Sequence, residues 1–165
     1  MATENRVVGH VQNPLRRAQH GVVGGLVAGL AMGALVQVVL GQMTAIGALY
    51  TLGDPNLTVG WVAHLFHSVL FGAVFALARG PELAERFVDG YPAGLVSGLA
   101  FGTALWAVNI VFVWPIWQNS VGLGVAAPPV PNLAVQPLVG HLVYGALLGL
   151  VIVALGSRTG PSSAG

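Results

Sequence analysis

The stretch Gly21-Val-Val-Gly-Gly-Leu-Val-Ala-Gly-Leu-Ala-Met-Gly33 is followed later in the chain by Gly90-Tyr-Pro-Ala-Gly-Leu-Val-Ser-Gly-Leu-Ala-Phe-Gly102, which repeats it without a gap. Eight of the thirteen positions are identical. In each copy a glycine recurs every fourth residue, just over one helical turn, so the glycines line one face of a helix. The pattern predicts two apolar helices that pack closely through Gly21, Gly25, Gly29, Gly33, Gly90, Gly94, Gly98 and Gly102.

A second pair of matching segments lies downstream of the glycine stretches. Residues 55–59 read Pro-Asn-Leu-Thr-Val and residues 131–135 read Pro-Asn-Leu-Ala-Val. His64 then corresponds to His141 after a one-residue difference in spacing. We therefore predict a tandem duplication of a two-helix hairpin, with parallel repeats related by a pseudo-twofold axis along the membrane normal.

Composition indicates a protein that is embedded in a bilayer. Of the 165 residues 55% are hydrophobic and only 7% are charged, with a mean hydropathy of +0.80, whereas soluble domains carry about 25% charged residues. Six arginines and five acids leave a net charge of +1, which excludes the basic surface of a nucleic-acid-binding protein. Because cysteine is absent, disulfides, thiolate metal sites and iron–sulfur clusters are excluded as well.

Four apolar stretches are each close to the roughly 20 residues that a helix needs to cross a bilayer. None of them contains Asp, Glu, Lys or Arg, and ionised groups are costly at mid-membrane. We predict an all-α integral membrane protein with transmembrane helices at about Gly21–Gly41, Gly60–Ala78, Tyr91–Trp114 and Leu138–Gly156. The expected organisation is an N-terminal tail (1–20), a first two-helix repeat (21–78), a loop (79–90), a second two-helix repeat (91–156) and a C-terminal tail (157–165).

The arginines predict the orientation of the chain in the membrane. All six lie before the first predicted span, between the second and third, or after the fourth, namely Arg6, Arg16, Arg17, Arg79, Arg86 and Arg158. By the positive-inside rule, both termini and the loop between the repeats are cytoplasmic. We therefore expect a multi-pass protein of the cell membrane, whose outer segments 42–59 and 115–137 carry one charge, that of Asp54.

Histidines within the predicted spans are the candidates for chemistry. His64 and His141 occupy equivalent positions of the repeat, about one turn inside the outer boundary. His67 shares a helix face with His64, and Tyr144 takes the corresponding place in the second unit. Ionisable residues inside a span are candidate functional residues by default.

Several interpretations of these histidines stay open. His64 and His141 could be the axial ligands of a b-type haem, or all three histidines could bind copper or zinc, although no acidic or thiolate ligand lies nearby. In the structural interpretation each imidazole donates to a backbone carbonyl or to the other hairpin. In the last one they line a water-filled path together with polar residues such as Gln37 and Asn109.

Other segments give expectations about packing. We expect the glycine faces to pack inside the bundle, with spans one and three facing each other across the axis, or else to contact a second protomer or a partner subunit. The proline-rich segment 115–137 is expected to lie over the mouth of the bundle as a lid. Asn56 and Asn132 are predicted helix caps.

At Gly25–Gly33, Gly94–Gly102, His64 and His141 the chain resembles a group of uncharacterised four-helix prokaryotic membrane proteins, common in haloarchaea. These have Gly-Leu-x-Ala-Gly in the first span and a histidine near the start of the second. The resemblance implies a four-span topology and no activity. Some members carry the automatic label histidine kinase, but such a kinase needs a soluble ATP-binding domain, and no segment outside the spans is long enough for one.

No enzymatic motif stands out in the sequence: it has no Gly-x-Ser-x-Gly, no His-Glu-x-x-His and no phosphate-binding loop. We therefore predict a small non-catalytic membrane protein, an accessory or structural subunit. The alternatives are a haem-binding electron-transfer module that uses His64 and His141, and a path for a small solute or ion. The expected partners are the lipid bilayer and a second copy or a partner membrane subunit, with no nucleic acid.

Overall fold

A computed structural model of the protein describes residues 14–79, 90–121 and 128–157. Within these ranges the chain forms α-helices and one π-helical segment, and no strand. The helices are α1 (Pro14–Val38), α2 (Met43–Tyr50), α3 (Leu57–Ala78), α4 (Tyr91–Trp106), the π segment (Ala107–Val113), α5 (Trp114–Val121) and α6 (Gln136–Ser157).

Among the described residues, four helical stretches are long and apolar enough to cross a membrane, which agrees with the predicted number of spans. They are α1, α3, α6 and the continuous stretch Tyr91–Ser120. Large apolar side chains such as Val62, Phe66 and Val96 are exposed on their outer surface, as expected for residues that face lipid. The chain is therefore a multi-pass membrane protein.

The first span begins earlier than the sequence predicts. Helix α1 starts at Pro14, so Arg16 and Arg17 belong to its first turns, although the predicted N-terminal tail included them. Proline fits the first turn because its missing N–H would have no partner there. The predictions that concern Arg6, Arg86, Arg158 and most of the loop 79–90 lie outside the described residues.

Glycines bring the two long helices of each half together. In the first half, a Cβ on Gly21 would overlap the backbone of Gly72, and one on Gly25 would overlap the carbonyl oxygen of Ser68. Helix α1 therefore packs on α3 at backbone distance. Gly29 and Gly33 face the side chains of Ser68 and Trp61 in the same interface.

The second half packs in the same way. A Cβ on Gly98 would overlap the carbonyl oxygen of Gly145, and one on Gly102 would overlap that of His141. Gly94 faces Val153 in the same interface. The glycine face of α4 is therefore covered by α6, and the expectation that spans one and three face each other is wrong.

Gly90 does not take part in this packing, contrary to our prediction. It is the residue before α4, with φ of 95°, and of the atoms that the structure describes only one, in the side chain of Pro92, lies near the position of its absent Cβ. A positive φ favours glycine because other residues meet a steric penalty there. Gly90 therefore belongs to the turn into the helix rather than to a helix interface.

The two halves meet through α1 and α6. Gly24 of α1 faces Leu148 and Ile152 of α6, and Gly140 of α6 faces Met32. The contact continues into an apolar core formed by Ala28, Phe75, Tyr144 and Leu148, with Phe71, Phe101 and Leu105 packed around it. This core fills the middle of the bundle.

Two short helices close the end of the bundle that lies away from Arg17 and Arg79. Helix α2 lies on α3, where Gly47 meets the carbonyl oxygen of Asn56 and Gly60 meets that of Met43. Helix α5 continues the third span beyond the π segment, in which the N–H of Trp114 donates to the carbonyl oxygen of Asn109.

Candidate functional site

A cavity of about 430 Å³ lies in the half of the bundle beyond the apolar core. Its wall includes all three histidines that the sequence analysis singled out, His64 and His67 from α3 and His141 from α6. A volume of this size is typical of small-molecule pockets, about 300–1,000 Å³. Most of the remaining wall is formed by α1, α2, the π segment, α5 and residues 128–137.

His64 connects α3 to α1. Its Nε2–H donates to the carbonyl oxygen of Gly29 at 2.9 Å, and its ring lies edge-on to Trp61. A neutral imidazole that donates through one nitrogen keeps a lone pair on the other. The imidazole is therefore held by α1 and still has one acceptor, Nδ1.

His141 is held by its own helix. Its Nδ1–H donates to the carbonyl oxygen of Pro137, one turn earlier, at 2.8 Å. Helix α6 begins at Gln136, and Pro137 is in its first turn, so this bond fixes the ring at the start of the helix. Nε2 of His141 is then the nitrogen that carries the lone pair.

His67 belongs to the same wall but has a second partner. Its Nδ1–H donates to the carbonyl oxygen of Ala63 at 2.8 Å, and Nε2 accepts from the hydroxyl of Tyr50 at 3.3 Å. Burial raises the pKa of Tyr50, which keeps the phenol protonated and able to donate. The hydroxyl thus occupies the acceptor nitrogen of His67, in contrast to those of His64 and His141.

Tyr144 lines the same cavity as His67 but has a different hydrogen-bond partner. It is 2% exposed, and its hydroxyl donates to the carbonyl oxygen of Ser68, which belongs to the other half. The Ser68 hydroxyl in turn donates to the carbonyl oxygen of His64. This pair forms the floor of the cavity and links α6 to α3.

The π segment brings an amide into the cavity wall. Asn109 lines the cavity, and among the hydrogen bonds of the described side chains none involves its amide, which offers both a donor and an acceptor. Gln37, the other polar residue proposed for a path, accepts a hydrogen bond from the indole N–H of Trp61 and is not part of the wall. The two residues therefore do not form one path.

Residues 128–135 lie over the cavity beside the π segment. The N–H of Asn132 donates to the carbonyl oxygen of Val111, and the indole of Trp106 donates to that of Ala134. Pro128, Asn132 and Ala134 line the cavity. This part of the predicted lid therefore lies over the cavity, as expected.

The two predicted caps behave differently. Asn56 accepts a hydrogen bond from the N–H of Val59 at the start of α3, which confirms the first prediction. Asn132 instead accepts from Ala134 at 3.3 Å. The second prediction is wrong because α6 begins only at Gln136, four residues further on.

The structure does not support the hypothesis that His64, His67 and His141 together bind one metal ion. Within residues 14–79, 90–121 and 128–157, no three His, Asp or Glu side chains are grouped so that they could hold a metal ion. His64, His67 and His141 line one cavity without forming a common ligand set. The aromatic residues Tyr50 and Trp117, which were not among the predicted site residues, also line the cavity and pack edge-on against each other.

No protein-family model matches the chain, and no curated protein or solved structure matches it either.

Proposed function

We propose that the chain is a small, non-catalytic integral membrane protein that holds a small amphipathic molecule in the cavity of its outer half. The observation that carries this proposal is the pair of imidazoles, His64 and His141, on one largely apolar cavity wall. Each ring donates one N–H to a backbone carbonyl, so the other nitrogen is an acceptor. Such acceptors favour a ligand with an apolar body and a hydroxyl group.

The walls fit such a ligand. Apart from the histidines, Ser68 and a few amides, they consist of aliphatic and aromatic side chains, among them Phe71, Trp114 and Trp117. Aromatic and aliphatic walls with few polar groups are typical of ligand pockets. The Asn109 amide adds a donor for a second oxygen of the ligand.

The test compares para-octylphenol, whose hydroxyl can donate a hydrogen bond, with its methyl ether, which has the same apolar body and no hydrogen-bond donor. We expect the phenol to bind roughly fivefold more tightly, since one net hydrogen bond contributes about 1 kcal/mol. Quenching of tryptophan fluorescence reports binding because Trp114 and Trp117 line the cavity.

His141→Phe is the informative variant, because it keeps a ring in place and removes the acceptor. The preference for the phenol should shrink in this variant and persist in Val96→Phe, which adds an aromatic ring on the exposed surface of α4. Equal affinity for phenol and ether in the unmodified protein would contradict the proposal.

A b-type haem held by His64 and His141 is the second candidate. It is favoured because the rings project from α3 and α6 into one cavity, and each donates its other N–H to a carbonyl, as haem and metal ligands do. Haem would supply electron transfer. A reduced-minus-oxidised visible spectrum tests it, with a band that is lost in His64→Ala and His141→Ala and kept in His67→Ala.

Permeation of a solute finds less support from the geometry. The cavity ends at the Tyr144 hydroxyl and the Ser68 carbonyl, and the core around Ala28 and Leu148, both 0% exposed, is packed below it. Permeation would be supported if liposomes containing the protein showed solute flux across their membrane and Asn109→Leu reduced that flux.

We also propose that the chain is a tandem duplication, with parallel repeats and both termini in the cytoplasm of the cell. Equivalent positions of the two halves form equivalent contacts, Gly29 with Ser68 and Gly98 with Gly145, which supports the duplication. Arg17 and Arg79 lie together at one end of the bundle, which supports the orientation by the positive-inside rule. A second copy or a partner subunit stays a prediction.

A further inference from the structure

A second polar cluster lies at the opposite end of the bundle from the cavity, where α1 begins and α3 ends. Arg17 of α1 reaches across to α3, and its Nη2 donates to the carbonyl oxygens of Ala76 at 2.9 Å and Leu77 at 2.7 Å. The last carbonyls of a helix lack partners within the helix and carry partial negative charge. Arg17 therefore satisfies the end of α3, but its partners are neutral groups.

Arg79 follows directly after α3 and lies beside Arg17. Its guanidinium is 5.6 Å from the centre of the Phe75 ring, and its Nη1 is buried with no hydrogen-bond partner. Burial and the neighbouring charge of Arg17 lower the pKa of Arg79. Arginine nevertheless stays protonated in proteins, so two positive charges lie side by side.

Neither charge has an acidic partner in the part of the chain that the structure describes. The one acid there is Asp54, which follows α2 at the other end of the bundle. An unpaired buried N–H of a charged group is costly, and two adjacent like charges repel. Both costs are removed by an anion that accepts hydrogen bonds from both guanidinium groups.

The position of the pair indicates which anion. The arginines lie at the boundary of the apolar helices, the level at which the headgroups of a bilayer begin. Val22 of α1 and Val74 and Leu77 of α3, which lie within about two helical turns of the arginines along the chain, have exposed apolar side chains. An acyl chain can cover them while its phosphate contacts the arginines.

We propose that Arg17 and Arg79 form a binding site for the phosphate of an anionic phospholipid. Guanidinium groups bind phosphate oxygens in a bidentate manner, and basic pockets between transmembrane helices bind anionic headgroups. A headgroup without an ammonium group suits the site because the two arginines repel a second cation. The site is independent of the cavity and of the function proposed for it.

The experiment measures the thermal unfolding of the full chain in mild detergent, with added phosphatidylglycerol, phosphatidylcholine or inorganic phosphate. Phosphatidylglycerol should raise the Tm, and phosphatidylcholine should raise it by less than half as much. Arg79→Gln should remove at least half of the rise. Arg16→Gln, which removes the same charge from an exposed neighbour, should keep it.

Arg17→Gln would also remove the hydrogen bonds to the end of α3, so the test uses variants of Arg79 instead. Arg79→Lys keeps the charge but cannot make a bidentate contact, and phosphatidylglycerol should raise its Tm by an intermediate amount. An equal loss in Arg79→Gln and Arg16→Gln would overturn the proposal in favour of general charge attraction. A rise of the same size with inorganic phosphate at equal concentration would overturn the assignment to a lipid.

Discussion

The two hairpins of the protein form the same helix contacts and different side-chain hydrogen bonds. In both, a glycine-rich helix packs on its histidine-bearing partner at backbone distance. His64 donates across the hairpin to Gly29, whereas His141 donates within its own helix to Pro137. The glycine contacts themselves match, since Gly29 faces Ser68 and its counterpart Gly98 faces Gly145. Matching sequences thus produce matching helix packing, while the hydrogen bonds of each histidine depend on its local neighbours.

The helix contacts should give the largest effect, and a similar one in both hairpins. A Cβ at Gly25 or Gly98 would overlap a carbonyl oxygen of the facing helix, so Gly25→Ala and Gly98→Ala should each cost about 1–3 kcal/mol of unfolding free energy. Unfolding in detergent measures it. In Gly156→Ala the added Cβ meets no atom of residues 14–79, 90–121 or 128–157 within 4 Å, and this variant is the control.

A clear difference between Gly25→Ala and Gly98→Ala would break the comparison, because it would mean that one hairpin relies on the close approach and the other does not.

The repeated Pro-Asn-Leu segment should give the next largest effect, and an unequal one. Asn56 caps α3 through the N–H of Val59, so Asn56→Ala should cost about 0.5–2 kcal/mol of stability. The side chain of Asn132 accepts a hydrogen bond from the nearby N–H of Ala134 and caps no helix, so Asn132→Ala should cost less. Thermal unfolding of the two variants under one condition gives the comparison, and equal losses would contradict it.

The histidines should give the smallest effect on stability. His64→Phe keeps an aromatic ring and removes the bond between α3 and α1, which contributes about 0.5–1.5 kcal/mol. His141→Phe removes a bond within the first turn of α6 and should cost less than half of that. If His141→Phe proves as costly as His64→Phe, His141 has a partner in the other hairpin that its bond to Pro137 does not explain.

Much of the fold was predictable because the sequence patterns that indicate it extend over many residues. Four uncharged apolar stretches indicate four spans whatever their neighbours are, and a glycine at every fourth position indicates a close helix contact. The partner of each glycine helix was not predictable in this way. From its sequence, the glycine face of α4 could pack on either α1 or α6, and only the three-dimensional structure shows that it packs on α6.

The candidate site was predictable in part. The repeat brought His64, His67 and His141 to attention, and all three line one cavity. Tyr144 also lines this cavity, but its hydrogen bond to the carbonyl oxygen of Ser68 was not predictable, because a backbone acceptor leaves no pattern in a sequence. Asn109 lines the cavity from within the π segment, and no residue in the sequence of that segment indicates a π-helix.

That π segment lets the third span hold one additional residue. A π turn closes its hydrogen bond over one more residue than an α turn, and such turns are frequent at functional sites. Deleting one residue between Ala107 and Val113 would restore an α-helix and leave α5 in its orientation, whereas the same deletion within a regular α-helix would rotate everything beyond it by about 100°. Trp114 and Trp117 would therefore stay in the cavity wall after a deletion in the π segment and leave it after a deletion in α4.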